Sequence, residues 1–276
     1  MRRTGTLRRI FLPLIALVLL FACASAGHAM SAEAVWPEAS GKKVDKDGKL
    51  VVDLSHKDQG YVMVRVSKKS SKKYKLRVTH DDTKLMYDIS ANEKYMVCPL
   101  QLGNGKYTLE LFENVKSNKY SSEGKVKVKA ELGDKYAAFL FPNPYVDYDL
   151  MTAAVKKSDE LCKGATGKEA YKIITDYIKS EYVYDFVRSV TVSAGQLPDI
   201  DYCYNNHMGI CQDLSALMAC MLRVQQVPTR LVIGYVDGKY YHAWVTVAID
   251  GKDVFFDPTA AVNAMSGKDY AVERYY

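Results

Sequence analysis

The pattern of apolar and polar positions changes character along the chain. Ile10 to Phe21 is an unbroken apolar run, preceded by Arg2, Arg3, Arg8 and Arg9 and followed by the small residues Cys23-Ala24-Ser25-Ala26. From about Lys49 to Leu132 the pattern becomes short stretches, several of them alternating, as in Met63-Val64-Arg65-Val66 and Lys75-Leu76-Arg77-Val78. A period of two places alternate side chains on opposite faces of a strand. Strands are predicted over Leu50 to Leu54, Tyr61 to Val66, Tyr74 to Thr79, Leu85 to Ile89, Tyr95 to Pro99, Tyr107 to Phe112 and Lys125 to Leu132. Turn residues such as Asp81-Asp82 and Asn104-Gly105 separate them. Strands at this spacing predict an antiparallel β-sandwich, assigned to residues 46–133.

Phe139-Leu140-Phe141-Pro142-Asn143-Pro144 then interrupts the pattern, because prolines stop helices and central strands alike. Residues 134–149 are read as a connector. Beyond it the period becomes helical, in a second domain over residues 150–276. A helix is expected from Leu150 to Cys162. A second opens at the capping box Thr166-Gly167-Lys168-Glu169, with apolar positions Ala170, Ile173, Ile174 and Ile178. Phe186 to Gly209 lacks periodicity, contains Gly195, Pro198, Asn205 and Asn206, and reads as a long loop. Leu214, Leu217, Met218, Met221 and Leu222 then mark a helix packed on a core and closed by Pro228. Three strands follow, Thr229 to Val236, Lys239 to Ile249 and Asp253 to Asp257, joined by Asp237-Gly238 and Asp250-Gly251, two-residue hairpin signals. The fold class expected is α+β, a sandwich followed by a helix-and-sheet domain.

Composition narrows the function classes. The chain has 276 residues, 48% hydrophobic and 25% charged, which excludes a disordered chain, a collagen-like fibre and a polytopic membrane protein. Its formal charge of +6 would suggest an anionic partner, but residues 1–29 hold four Arg and no acid, and without them the charge is +2. The remaining Lys are dispersed, as in Lys125-Val126-Lys127-Val128-Lys129, so no basic patch points to nucleic acid. Residues 1–29 read as a signal peptide: a basic start, an apolar centre too short to span a membrane, and a small-residue end. Leu20-Phe21-Ala22-Cys23 resembles a bacterial lipoprotein cleavage box, which would make Cys23 a lipidated N-terminus on a membrane surface; cleavage after Ala26 or Ala29 would release a soluble protein. Arg8-Arg9-Ile10-Phe11-Leu12 also resembles the core of a twin-arginine signal. Either route places the protein outside the cytoplasm.

The candidate chemistry is concentrated after the long loop. Cys211 falls in the first turn of its helix, where unpaired backbone N–H groups and the helix dipole favour an anion, here a thiolate. With Asp250-Gly251 as the hairpin loop, Ile249 pairs with Lys252 and Asp257 falls opposite Trp244. His242 is then its diagonal neighbour on the same face, within side-chain reach. Cys211, His242 and Asp257 could therefore act together: the imidazole moves the thiol proton and the carboxylate orients the ring. The competing reading is a zinc site, from the C-x3-H-x3-C spacing of Cys203, His207 and Cys211 completed by His242. It leaves Asp257 without a role, and no metal is expected.

Gly209-Ile210-Cys211-Gln212-Asp213, Tyr241-His242-Ala243-Trp244-Val245 and Phe256-Asp257-Pro258-Thr259, in this order and spacing, resemble the three signature blocks of the transglutaminase-like superfamily. Pro228-Thr229-Arg230 fits as well, and the nearest resemblance is to secreted bacterial members with an N-terminal β-sandwich. The resemblance implies a papain-like α+β fold, a Cys211–His242–Asp257 triad, no cofactor and, with no calcium-loop pattern in the sequence, no calcium requirement. It also implies an aromatic or Gln side chain at the oxyanion hole, for which Tyr202, Tyr204 and Gln212 are the candidates. The activity expected is cysteine-dependent acyl transfer on amides of proteins or peptides, cell-wall peptides included, by hydrolysis or isopeptide cross-linking. The alternative is a non-catalytic surface-binding module with a vestigial triad. Cys98, Cys162, Cys203 and Cys220 are left for packing or pairing, Cys220 being the one expected to stay free.

Overall fold

The computed structural model describes residues 36–262 and 267–276. Residues 1–29, read from the sequence as a signal peptide, and Cys23 among them lie outside the described residues. No helix among those described is long and apolar enough to cross a membrane.

Eight strands build the N-terminal part: β1 (Val44–Asp47), β2 (Leu50–Asp53), β3 (Tyr61–Val66), β4 (Tyr74–His80), β5 (Thr83–Ile89), β6 (Met96–Pro99), β7 (Gly105–Lys116) and β8 (Lys119–Ala130). They form two four-stranded sheets, ordered β1-β2-β3-β6 and β5-β4-β7-β8, antiparallel at every pairing. Leu76, Val78, Leu109 and Leu111 are buried from one sheet, and Leu50, Val52, Val62 and Val64 from the other. Alternation thus resolves into a sandwich core, as the period of two requires. Strand β1 was not predicted, because its residues Val-Asp-Lys-Asp are all exposed and carry no apolar face.

The C-terminal part contains α1 (Ala153–Leu161), α2 (Gly167–Glu181), β9 (Val183–Tyr184), α3 (Phe186–Thr191), α4 (Ile200–Asn206), β10 (Met208–Gly209) and α5 (Cys211–Val224). Then come β11 (Thr229–Val236), β12 (Tyr240–Ile249), β13 (Lys252–Phe256), α6 (Pro258–Ala261) and β14 (Tyr270–Tyr275). One antiparallel sheet, ordered β13-β12-β11-β14, packs against α5, which α1, α2, α4 and α6 also touch. Asp213 through Val224 are all buried, so α5 is a central helix rather than one with a single inward stripe. The Asp250-Gly251 turn is as expected, with Ile249 paired to Lys252, whereas the first turn is one residue longer than the two-residue loop expected, Val236 pairing with Tyr240 across Asp237-Gly238-Lys239; Asp237, Gly238, Asp250 and Gly251 all take positive φ.

Two further local expectations need correction. Thr166 precedes α2 but its side chain makes no capping bond; Gly167 enters with φ +49°, outside the helical geometry a capping box requires at that position. The stretch read as one long loop contains α3, α4 and β10. Each short helix is started by an aspartate: Asp185 Oδ1 accepts from Arg188 N at 2.8 Å, and Asp199 Oδ1 from Tyr202 N at 2.8 Å. Helices of six and seven residues are too short to display a 3.6-residue period.

The two parts share one hydrophobic cluster, which runs from the sandwich through Val146 and Tyr148 to α5. Tyr276 stacks on Tyr145 with ring centroids 3.5 Å apart, and Gln101 Nε2 donates to Tyr275 O at 2.6 Å. At this junction Arg223 is fully buried and faces backbone oxygens. It donates to Thr229 O (2.9 Å), Phe141 O (2.7 Å) and Tyr276 O (2.9 Å). Burial lowers its guanidinium to about 10. Arg223→Met is therefore expected to cost about 2–3 kcal/mol in urea unfolding. It removes three charge-assisted bonds but also a desolvated charge, which offsets part of the loss.

Candidate active site

Cys211 is the first residue of α5, and Ile210, in extended conformation, precedes it. The first helical bond runs from Leu214 N to Ile210 O, so the N–H groups of Cys211, Gln212 and Asp213 have no partner within the helix. Gly209 sets the approach. A Cβ there would lie 2.8 Å from Cys203 Sγ and 2.9 Å from Asp213 Cβ, so a larger residue would push the strand β10 away from α5. Cys211 is only partly buried and open to a reagent, whereas His242 and Asp257 are 2% and 5% exposed.

His242 lies on β12 opposite Gly234 of β11, and the β12–β13 register pairs Ile249 with Lys252 and Val245 with Phe256. The chain leaves β13 at Asp257, which caps α6: its Oδ1 accepts from Thr259 N at 2.9 Å and from Ala260 N at 3.3 Å. Its Oδ2 lies 3.0 Å from His242 Nε2. Cys211 is the second group acting on this imidazole. Burial works against the imidazolium, but the bonds to Asp257 and Cys211 and their negative charge prevail, raising His242 to about 9. The structure thus brings Cys211, His242 and Asp257 together.

The three oxyanion candidates fare differently. Tyr202 has committed its hydroxyl to Asp185 Oδ2 at 2.6 Å, with the Arg188 guanidinium 4.6 Å from its ring centroid, so it is not a free donor. Tyr204 stands in a separate cluster with Lys157, Leu161, Tyr177 and His207. Gln212 Nε2 donates to Gln196 O at 3.1 Å. The aromatic side chain beside Cys211 is instead Tyr184, whose phenol is raised to about 12, by burial first and then by the charge of Cys211. Parallel pairing of β9 with β10 sets Tyr184 opposite Gly209. Two-residue strands leave no period to read, so the sequence offered no signal for it.

Asp213 anchors this end of the site. It is fully buried and accepts from Ile210 N (3.2 Å), Asp199 N (2.9 Å) and Arg188 Nε (2.8 Å). One carboxylate thereby ties α3, the start of α4 and the start of α5 together. The zinc alternative gains no geometry: Cys203 is buried beneath Gly209, and His207 Nδ1 is 3.2 Å from Glu181 O. Among the described residues no three His, Cys, Asp or Glu are placed to hold a metal. Cys98, Cys162, Cys203 and Cys220 are buried free thiols, without disulfides.

Residues 155–258, which hold Cys211, His242 and Asp257, match the family described as the Transglutaminase-like superfamily. This stretch is a transglutaminase-like domain. Comparison with curated proteins gives no match. Among solved structures, the chain is similar to a protein assigned as a cysteine protease from Cytophaga hutchinsonii, at 17% identity over 76% of this chain and 73% of that one (TM-score 0.40). It is also similar to the periplasmic domain of TgpA from Pseudomonas aeruginosa, at 17% identity over 84% and 82% (TM-score 0.36). Red sea bream transglutaminase is 11% identical over 72% of this chain and 48% of its own length (TM-score 0.30). The transglutaminase-like domain ends, by this match, one residue beyond Asp257; β14 lies outside it.

Proposed function

We propose that the chain is an exported cysteine-dependent acyltransferase acting on amide groups of proteins or peptides, cell-wall peptides among them. The observation that carries this reading is the partly exposed Cys211 at a helix start beside a buried His242–Asp257 pair that holds its proton to about 9. The Cys211 thiolate attacks the amide carbon, and the carbonyl electrons move onto oxygen, where the unpaired N–H groups at the start of α5 stabilise them. The tetrahedral adduct collapses as the imidazolium gives its proton to the leaving nitrogen, which departs as an amine or ammonia. A thioester on Cys211 remains. Water or a primary amine then adds to the thioester carbonyl, losing a proton to the imidazole, and the thiolate is released. Water gives hydrolysis and an amine gives an isopeptide bond. The basic and apolar segment at residues 1–29 supports export, and Cys23 is the residue proposed for lipidation.

The test is intact-mass analysis of the full chain after incubation with glutamine peptides or cell-wall fragments, with and without a primary amine. A covalent adduct is expected on Cys211, absent in Cys211→Ala, and its turnover products separate hydrolysis from amine transfer. A folded protein that forms no adduct with any donor would instead be the non-catalytic surface module.

A further inference from the structure

Asp257 Oδ2 has a second donor. Tyr270, the first residue of β14, presents its hydroxyl to that oxygen at 2.8 Å, alongside His242 Nε2 at 3.0 Å. The ring is held from two sides, with Trp244 5.2 Å away edge-on and Phe255 4.7 Å away edge-on. Each carboxylate oxygen of Asp257 therefore takes two bonds, Oδ1 from the α6 backbone and Oδ2 from Tyr270 and His242. A carboxylate fixed at four points cannot rotate without breaking one of them.

We infer that Tyr270 is a positioning residue, acting on Cys211 through Asp257 and His242 by fixing the carboxylate oxygen against His242 Nε2 and sharing its charge. The inference rests on the proposed Cys211 chemistry. Two effects follow from one hydroxyl. The bond holds Oδ2 where it fixes the imidazole that acts on Cys211. It also draws charge from Oδ2, so the carboxylate holds the imidazolium less tightly than it would unshared. The titratable groups around this pair are Cys211 from α5, Asp257 between β13 and α6, Tyr270 from β14 and Asp237 from the β11–β12 turn. Burial first, then the bond to Asp257, raises the Tyr270 phenol to about 12, so it remains a donor throughout the range in which His242 titrates.

The experiment uses iodoacetamide on the full chain, reading alkylation of Cys211 by mass spectrometry from pH 5 to 10. Wild type is expected to show an alkaline inflection where the imidazolium gives up its proton. Tyr270→Phe keeps the ring between Trp244 and Phe255 and removes only the hydroxyl, so the inflection is expected to move up by roughly half a pH unit or more. A variant that merely loosened the fold would lower the reactive fraction without moving the inflection. In the His242→Ala background, Tyr270→Phe is expected to change nothing. An unmoved inflection in Tyr270→Phe, or an equal effect of that substitution with and without His242, would overturn the positioning role. Wild type labelling no faster than His242→Ala is a different failure, that of the Cys211–His242 chemistry itself.

Discussion

Replacing His242 with alanine is expected to lower acyl transfer at Cys211 by about 10³- to 10⁶-fold, the range in which removal of one member of a nucleophile–base unit falls. Alkylation of Cys211 at pH 6 should also slow, by roughly tenfold or more, because the thiolate loses its cationic partner. The pH dependence follows from the raised His242 value. Imidazolium is the species present at neutral pH, and it is lost as pH rises through about 9. The proton donor for the leaving nitrogen disappears with it, so activity should fall on an alkaline limb near that pH. Stability carries the same sign. A histidine raised above its ordinary 6.5 contributes its full stabilisation below 6.5 and loses it between 6.5 and about 9. Urea midpoints should therefore fall between pH 6 and pH 9.5 in the wild type, and His242→Ala should flatten that fall. Equal activity of wild type and His242→Ala would sink the assignment of this histidine.

Much of the site's frame was legible because it rests on local rules. The Asp250-Gly251 turn sets the β12–β13 register, and that register alone put Asp257 within diagonal reach of His242. The apolar spacing from Leu214 to Leu222 located α5, and with it the position of Cys211 at a helix start. What escaped the sequence depends on contacts between distant segments. Tyr270 meets Asp257 only because β14 returns to pair with β11, through a register irregularity between Ile233 and Gly234 that no hairpin rule anticipates. Tyr184 reaches Cys211 through a two-residue parallel pairing. The partner of Tyr202 was hidden for a related reason: its hydroxyl is held by Asp185, seventeen positions earlier. Capping aspartates at 185 and 199 were visible, but a cap without a periodic segment behind it did not read as a helix.

Asp213 carries the second large effect, because fold and chemistry meet there. Asp213→Ala removes the acceptor for Arg188 Nε, Asp199 N and Ile210 N and leaves the guanidinium, whose side chain is only 16% exposed, without its hydrogen-bonded carboxylate. Breaking a buried pair from one side costs about 3–5 kcal/mol, a large share of the roughly 5–15 kcal/mol that holds a domain folded. The urea midpoint should drop accordingly. Cys211 should also label more slowly in the fraction that remains folded, since the start of α5 loses its tie to α3 and α4. Pairing Asp213→Leu with Arg188→Met separates these consequences. Removing both charges together avoids the stranded guanidinium, so most of the stability should return. The bonds to Ile210 N and Asp199 N do not return, so the helix start stays unanchored and Cys211 should remain slow to label. If the double variant recovers labelling along with stability, the carboxylate serves the fold alone; if it recovers stability only, Asp213 sets the geometry in which Cys211 meets His242.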